Sequence, residues 1–199
     1  MMKDSDFGEA YYSTVNYIDF LQRGDRYKRL AADINDLLKK IGLNKGPVLD
    51  FGCAVGFVIE AMENEGYEDV SGVDISEWAL SQCREKGLDV SNTLDADKEY
   101  GLTFALDVLE HMNMDQVSDL LYNLDTETIV FRMPICAEEG EDYVLECSRK
   151  DPTHRIRMTR EGWEDKFNAA GYHCVDLNLP TIYCSEGVYS GLAIRSYCL

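Results

Sequence analysis

Apolar residues recur along this chain at two alternating periods, one helical and one extended. Tyr27, Leu30, Ala31, Ile34, Leu37, Leu38 and Ile41 mark one face of an amphipathic helix. Lys39 and Lys40 fall in its last turn and Gly42 is its stop. Before it, the stretch from Phe7 to Phe20 carries Tyr11, Tyr12 and Tyr17 and reads as a shorter helix or a lid. The short apolar run 47–51 predicts a strand, and Val58, Ile59 and Met62 predict a helix after Gly56. A second strand over 69–73 ends on Asp74, and Ser76 caps a helix carrying Ala79, Leu80 and Cys83. A brief strand over 90–94 and another over 102–108 come next, then a helix on Val117, Leu120, Leu121 and Leu124. β-Branched and aromatic residues over 128–133 predict a further strand. Residues 134–158 are the least regular, with acids at Glu138, Glu139, Glu141 and Asp142. Thr159 then caps a helix with Trp163, Phe167 and Ala170 that stops at Gly171, and strands over 172–179 and 188–196 finish the chain. Strand and helix alternate, which predicts an α/β fold with a mostly parallel sheet and helices on both faces. No repeat, low-complexity tract or linker interrupts it. One structural domain is expected, with residues 1–45 as an N-terminal helical extension or cap and 46–199 as its body.

Composition narrows the partners more than the fold. At 199 residues the chain can bury a full core. Its formal charge is −18, from 37 acidic against 19 basic residues, and no basic block stands out. Such a surface repels phosphate backbones, so nucleic acid is a poor partner. The 7 cysteines include no Cys-x-x-Cys pair, which argues against zinc or redox spacing and for buried free thiols in a reducing cytoplasm. The first residues do not read as a signal peptide, and no apolar run approaches the ~20 residues of a spanning helix, so no membrane association is expected.

The chemistry concentrates in Asp50-Phe51-Gly52-Cys53-Ala54-Val55-Gly56, with Asp74 at the end of the next strand. A turn of small residues between strand and helix lets the backbone approach a nucleoside, while a downstream acid suits ribose hydroxyls. The dinucleotide fingerprint would need glycine where the chain has Ala54 and Phe57. Asp50 argues the same way: its charge opposes a pyrophosphate and suits a ligand bearing an ammonium group. A nicotinamide-dependent oxidoreductase is disfavoured accordingly.

These residues resemble the class I S-adenosylmethionine-dependent methyltransferases, in the small-molecule branch that carries Leu-Glu-His after the fourth strand. The first motif of that family, Asp/Glu-x-Gly-x-Gly-x-Gly, stands here as Asp50 to Gly56 with Ala54 in the middle glycine's place. The second-strand acid matches Asp74, followed by Ile75; the third acidic motif matches Asp95-Ala96; and the segment after strand four matches Leu106, Asp107 and Leu109-Glu110-His111. Asp151-Pro152-Thr153-His154 and the region around Trp163 also look like that branch. The resemblance implies a doubly wound, seven-stranded Rossmann-like sheet with an antiparallel last strand. It also implies S-adenosylmethionine as cofactor, bound by Asp50, Gly52, Ala54, Gly56, Asp74, Ile75, Asp95, Ala96, Leu106 and Asp107.

The acceptor implied is a small or medium-sized molecule, most simply methylated at oxygen. Removing a hydroxyl proton then calls for a base, for which His111 and His154 are the candidates. Asp107, Glu110, His111 and His154 also have the residue types of a divalent-metal site, although no metal is assigned. A structural reading has Glu110 and His111 cap the following helix. Tyr11, Tyr12, Tyr17 and Arg29 either line the cofactor's carboxylate end or pack helices, while Trp163 and His173 read as structural. A non-catalytic cofactor-binding partner subunit and a nucleic-acid methyltransferase are the competing functions. Oligomeric state is open.

Overall fold

The computed structural model of the chain describes residues 3–13, 19–43 and 46–196; Tyr17 and Cys198 lie outside them. Seven strands form one sheet in the order β3-β2-β1-β4-β5-β7-β6. They are β1 (Val48–Phe51), β2 (Val70–Val73), β3 (Val90–Ser91), β4 (Tyr100–Leu106), β5 (Thr126–Pro134), β6 (Tyr172–Asp176) and β7 (Val188–Arg195). The helices are α1 (Gly24–Ile41), α2 (Phe57–Asn64), α3 (Glu77–Glu85), α4 (Met114–Asn123), α5 (Glu146–Arg149) and α6 (Arg160–Ala169). The described residues pack as two compact units, one of residues 3–95 with 99–104 and one of 96–98 with 105–196. Residues 3–13 and 19–43 thus pack in the same unit as β1 and β2.

In the first unit β1 runs parallel to both β2 and β4, and β2 parallel to β3. Each of these strands is followed by a crossover, which is what parallel neighbours require. Helix α1 presents Leu30, Ala31, Ile34 and Leu38 to the core, and Gly42 ends it in the left-handed region, its N–H donating to the Leu38 carbonyl. Its Tyr27 ring stacks on Phe57 of α2. Ser76 caps α3 by accepting from the Ala79 N–H at 3.1 Å.

In the second unit β7 runs antiparallel to both β5 and β6, so the last strand of the chain inserts between two earlier ones. That is the expected single reversal. Phe131 of β5 stacks on Phe167 of α6 and meets Tyr189 of β7 edge-on. Trp163 is fully buried, as a core residue is, whereas His173 is exposed on β6. Thr159 caps α6 as its spacing implies. Helix α4 is not capped by Glu110 and His111, the structural alternative for those two residues. Asn113 accepts from the Gln116 N–H while the Gln116 side chain accepts from the Asn113 N–H, a reciprocal box that leaves Glu110 and His111 without a capping duty.

Candidate active site

The turn after β1 is held in a shape few side chains tolerate. Gly52 and Gly56 have φ of 82° and 83°, and the Gly52 N–H donates to the Val73 carbonyl at 2.7 Å. A Cβ on Gly56 would lie 2.4 Å from Leu88 Cδ1 and 3.0 Å from Cys83 Sγ. Glycine there is required by both backbone and space. Ala54 also sits in the left-handed region, at φ 47°, so the departure from glycine adds backbone strain as well as a methyl group. Two contacts offset it. The Ala54 N–H donates to Asp74 Oδ2 at 2.8 Å, and the Ala54 carbonyl accepts from Cys83 Sγ at 3.2 Å.

Asp74 therefore does more than terminate β2. Its Oδ1 accepts from the Ser76 N–H at 2.8 Å, so one carboxylate ties the turn after β1 to the start of α3. Burial pushes its pKa up, against the lowering pull of the Ser76, Ala54 and Ile75 amides. Asp50, 3% exposed at the end of β1, is perturbed further. Burial first, and the Asp74 charge second, push its pKa up to about 8. A buried acid that holds its proton at neutral pH lacks a counter-charge. Ile75 is partly exposed beside this turn.

Aromatic residues of the N-terminal segment pack on the same turn. Tyr12 and Phe20 form one buried cluster with Val55 and Ala79, against which Tyr11, Ala54, Phe57 and Trp78 pack. The Tyr12 ring stacks on Trp78 at 5.1 Å, and Ser76 Oγ donates to the Phe7 carbonyl at 2.5 Å. Tyr12 is thus a packing residue, and Arg29 is exposed on α1.

Asp95 and Ala96 fall on an exposed turn between β3 and β4. Leu106 closes β4, and Asp107 follows at φ 52°, its N–H donating to the Arg132 carbonyl at 2.7 Å and its carboxylate 3.3 Å from the Arg132 guanidinium.

In the second unit His111 and His154 come together, with ring centroids 4.6 Å apart. The short helical turn Leu109–His111 is buried throughout, and the Glu110 carbonyl accepts the N–H groups of Arg155 and Ile156, which fastens the loop bearing His154. Glu110, His111 and His154 each offer a ligand atom, all within 4.8 Å of one another. Thr153 Oγ1 lies 2.9 Å from His111 Nδ1 and also bonds to Asp151 Oδ1. The hydroxyl has one proton and donates it to the carboxylate, so Nδ1 of His111 carries the hydrogen and Nε2 the lone pair. Burial, then the neighbouring His154 charge, lower the His111 pKa to about 4. Burial also lowers that of His154, and it raises that of Glu110, with Asp107 adding to the effect. Burial raises Asp151 too, but bonds from the Thr153 hydroxyl and amide outweigh it and leave the group below its usual range. Both imidazoles are neutral at neutral pH. Glu110 Oε2 and His154 Nδ1 are buried with no hydrogen-bond partner among the described residues.

A family model described as a methyltransferase domain matches residues 22–177. The chain belongs to the methyltransferase-domain family. Its fold is that of the class I methyltransferases, which use S-adenosylmethionine. A magnesium protoporphyrin IX methyltransferase from Synechocystis PCC 6803, solved with bound S-adenosylmethionine, aligns with this methyltransferase at a TM-score of 0.63 and 16% identity, covering 98% of this chain and 99% of its own. An amino pentose methyltransferase from Micromonospora echinaspora, also solved with S-adenosylmethionine, aligns at 0.65 and 18% identity over 89% and 96%. An S-adenosylmethionine-dependent methyltransferase from Clostridium acetobutylicum aligns at 0.67 and 14% over 94% and 99%. No curated protein matches the sequence.

Of the residues singled out from sequence, Asp50, Gly52, Ala54, Gly56, Asp74 and Ile75 of this methyltransferase meet around one turn, and His111 and His154 meet in one cluster. The relay through Thr153 to Asp151 was missed, although Asp-x-Thr is a local turn signal: the Thr153 N–H donates to Asp151 Oδ1 at 2.9 Å. Arg132 gave no signal, since it lies within an apolar strand.

Proposed function

We propose that this methyltransferase moves a methyl group from S-adenosylmethionine to a hydroxyl oxygen of a small acceptor. The observation that carries the reading is the His111–Thr153–Asp151 relay, which holds a neutral imidazole with its lone pair on Nε2. The residues of the β1 turn fit the donor. Buried Asp50 lacks a counter-charge that the donor's ammonium group supplies, and the positive φ of Gly52 and Gly56 keeps the turn beside it tight. Ile75 would pack on the adenine, Asp74 hold the ribose, Asp95 and Ala96 read the adenine edge, and Leu106 and Asp107 complete the binding set. The N-terminal residues 1–45 act as its cap, which the Tyr12–Trp78 stack on the turn supports.

The bound donor supplies an activated methyl on a sulfonium. The chain's own work is alignment and proton removal. The donor would give its methyl carbon to the acceptor oxygen and keep the electron pair of the broken carbon–sulfur bond. The hydroxyl proton goes to Nε2 of His111, and the imidazolium is stabilised through Thr153 by Asp151. His154 beside it is the second candidate base. Small acceptors are supported by solved relatives named for magnesium protoporphyrin IX and an amino pentose. A reducing compartment such as the cytoplasm belongs to the same proposal, on the buried free thiols of Cys53, Cys83 and Cys136. Among the described residues no helix is long and apolar enough to cross a membrane.

The test is a labelled-methyl screen over phenols, sugars, carboxylates and amines with the wild type, His111→Asn and His154→Asn. An O-methylated product, with turnover lowered about 10²- to 10⁴-fold in His111→Asn and cofactor affinity unchanged, is expected. Full turnover in both variants, or methylation at nitrogen or carbon, overturns it. Calorimetry that detects NAD but neither S-adenosylmethionine nor S-adenosylhomocysteine overturns the cofactor as well.

A further inference from the structure

We propose that Glu110, His111 and His154 form a binding site for a single divalent transition-metal ion. Two imidazoles and one carboxylate are the donor set of many such sites, and they select a first-row transition metal over magnesium or calcium, which favour all-oxygen shells. The ligand atoms lie within 4.8 Å of one another. Ligands bound tetrahedrally at about 2.1 Å stand about 3.4 Å apart, so closure needs movement of up to about 1.4 Å.

Three further observations point the same way. Glu110 is 1% exposed, and its Oε2 has no hydrogen-bond partner among the described residues. A buried orphan oxygen calls for an explanation, and a cation supplies one. His154 Nε2 faces the same carboxylate, 3.9 Å from Glu110 Oε1, and stands 3.7 Å from Asp151 Oδ2. His111 already has the outer shell that metal-bound histidines use, since its Nδ1–H is held by Thr153 and, through it, by Asp151.

Binding stands independently of the methyl-transfer reading; only its catalytic consequence rests on that reading. A bound ion would engage the lone pair of His111, and acidification of the acceptor hydroxyl would then pass from the imidazole to the cation.

The probe is Co2+, titrated into chelator-treated full-length protein and followed by its visible ligand-field bands, with Zn2+ as competitor. One ion per chain with nitrogen-donor bands is expected. Glu110→Gln and His154→Gln should each weaken binding by more than about 100-fold, and Thr153→Val by about 10- to 100-fold. Unchanged S-adenosylmethionine affinity shows that each variant is folded. Zinc-edge X-ray absorption on the wild type needs no variant and must report two imidazoles. Oxygen donors alone, or binding equal in wild type and variants, means adsorption to the acidic surface and overturns the proposal. Loss of metal binding alone leaves the histidine-base reading standing, whereas metal binding without methyl transfer to any acceptor sinks the functional reading alone.

Discussion

Asp50 is the residue whose perturbation tests most of the argument at once. Asp50→Asn keeps the shape of the side chain and removes its titration. In the fold the carboxyl keeps its proton up to about pH 8, against an ordinary value of 3.8, because it is buried and faces the Asp74 charge. The folded value is the raised one. The contribution to stability is therefore complete below the unfolded value, declines as pH rises, and is lost once pH passes about 8. At 1.36 kcal/mol per pH unit, the loss reaches about 4 kcal/mol by pH 7 and about 6 kcal/mol at its limit. Urea unfolding of both proteins without cofactor, from about pH 5 to about pH 9, isolates this group from the other acids. The stability of wild type relative to Asp50→Asn should fall by about 4 kcal/mol over that range. S-Adenosylmethionine should reverse the effect, since its ammonium group draws the proton off. Calorimetry in buffers of different ionisation enthalpy should show about 0.9 proton released per site at pH 7 in the wild type and none of it in the variant. The variant should also bind roughly 10- to 150-fold more weakly. A stability difference flat in pH would mean that Asp50 is ionised in the fold, and proton release equal in both proteins would mean that it pairs with nothing on the ligand.

Gly56→Ala forces a Cβ to 2.4 Å from Leu88 Cδ1 at φ 83°, so it should lose about 2–4 kcal/mol of stability, read as a fall in Tm; an unchanged Tm would mean that the turn has room to relax. Thr153→Val removes the acceptor for His111 Nδ1–H and should lower kcat by roughly 10- to 150-fold with cofactor Kd unchanged, a cost of about 1–3 kcal/mol, whereas equal kcat would remove the relay from the mechanism. The acid limb of kcat/KM, measured with the metal-free enzyme, should fall near pH 4, because burial holds His111 neutral down to that value; a limb near the ordinary histidine value of 6.5 would contradict its burial in the working enzyme.

What was legible in the sequence is what short-range chemistry determines. Ser76 and Thr159 were found as caps because a cap needs only a hydroxyl and an amide three residues on. The same rule was available at Asn113 and Gln116, where the pair was not recognised as a cap. The Asp50–Gly56 turn was legible because strand, small residues and helix are contiguous. The left-handed backbone of Ala54 was not, since sequence predicts glycine where φ is positive and says nothing of what compensates when alanine stands there. The compensation comes from Asp74 and Cys83, both far along the chain. The insertion of β7 between β5 and β6 is a matter of long-range pairing, and periodicity determines the strands without their order.

The two histidines show why a site can be only half read from a sequence. Their types and places nominate them as bases, but what each can do depends on the partner of its second nitrogen. Thr153 gives His111 a defined tautomer and an orienting carboxylate at Asp151, while Nδ1 of His154 is buried without a partner. An imidazole whose outer nitrogen is anchored is oriented to accept a proton or a metal at the other; one without that anchor gains its orientation from what it binds. Under the proposed function, that asymmetry favours His111 over His154 as the proton acceptor. It also makes His154 the histidine whose position should depend most on an ion, since no hydrogen bond among the described residues anchors its Nδ1.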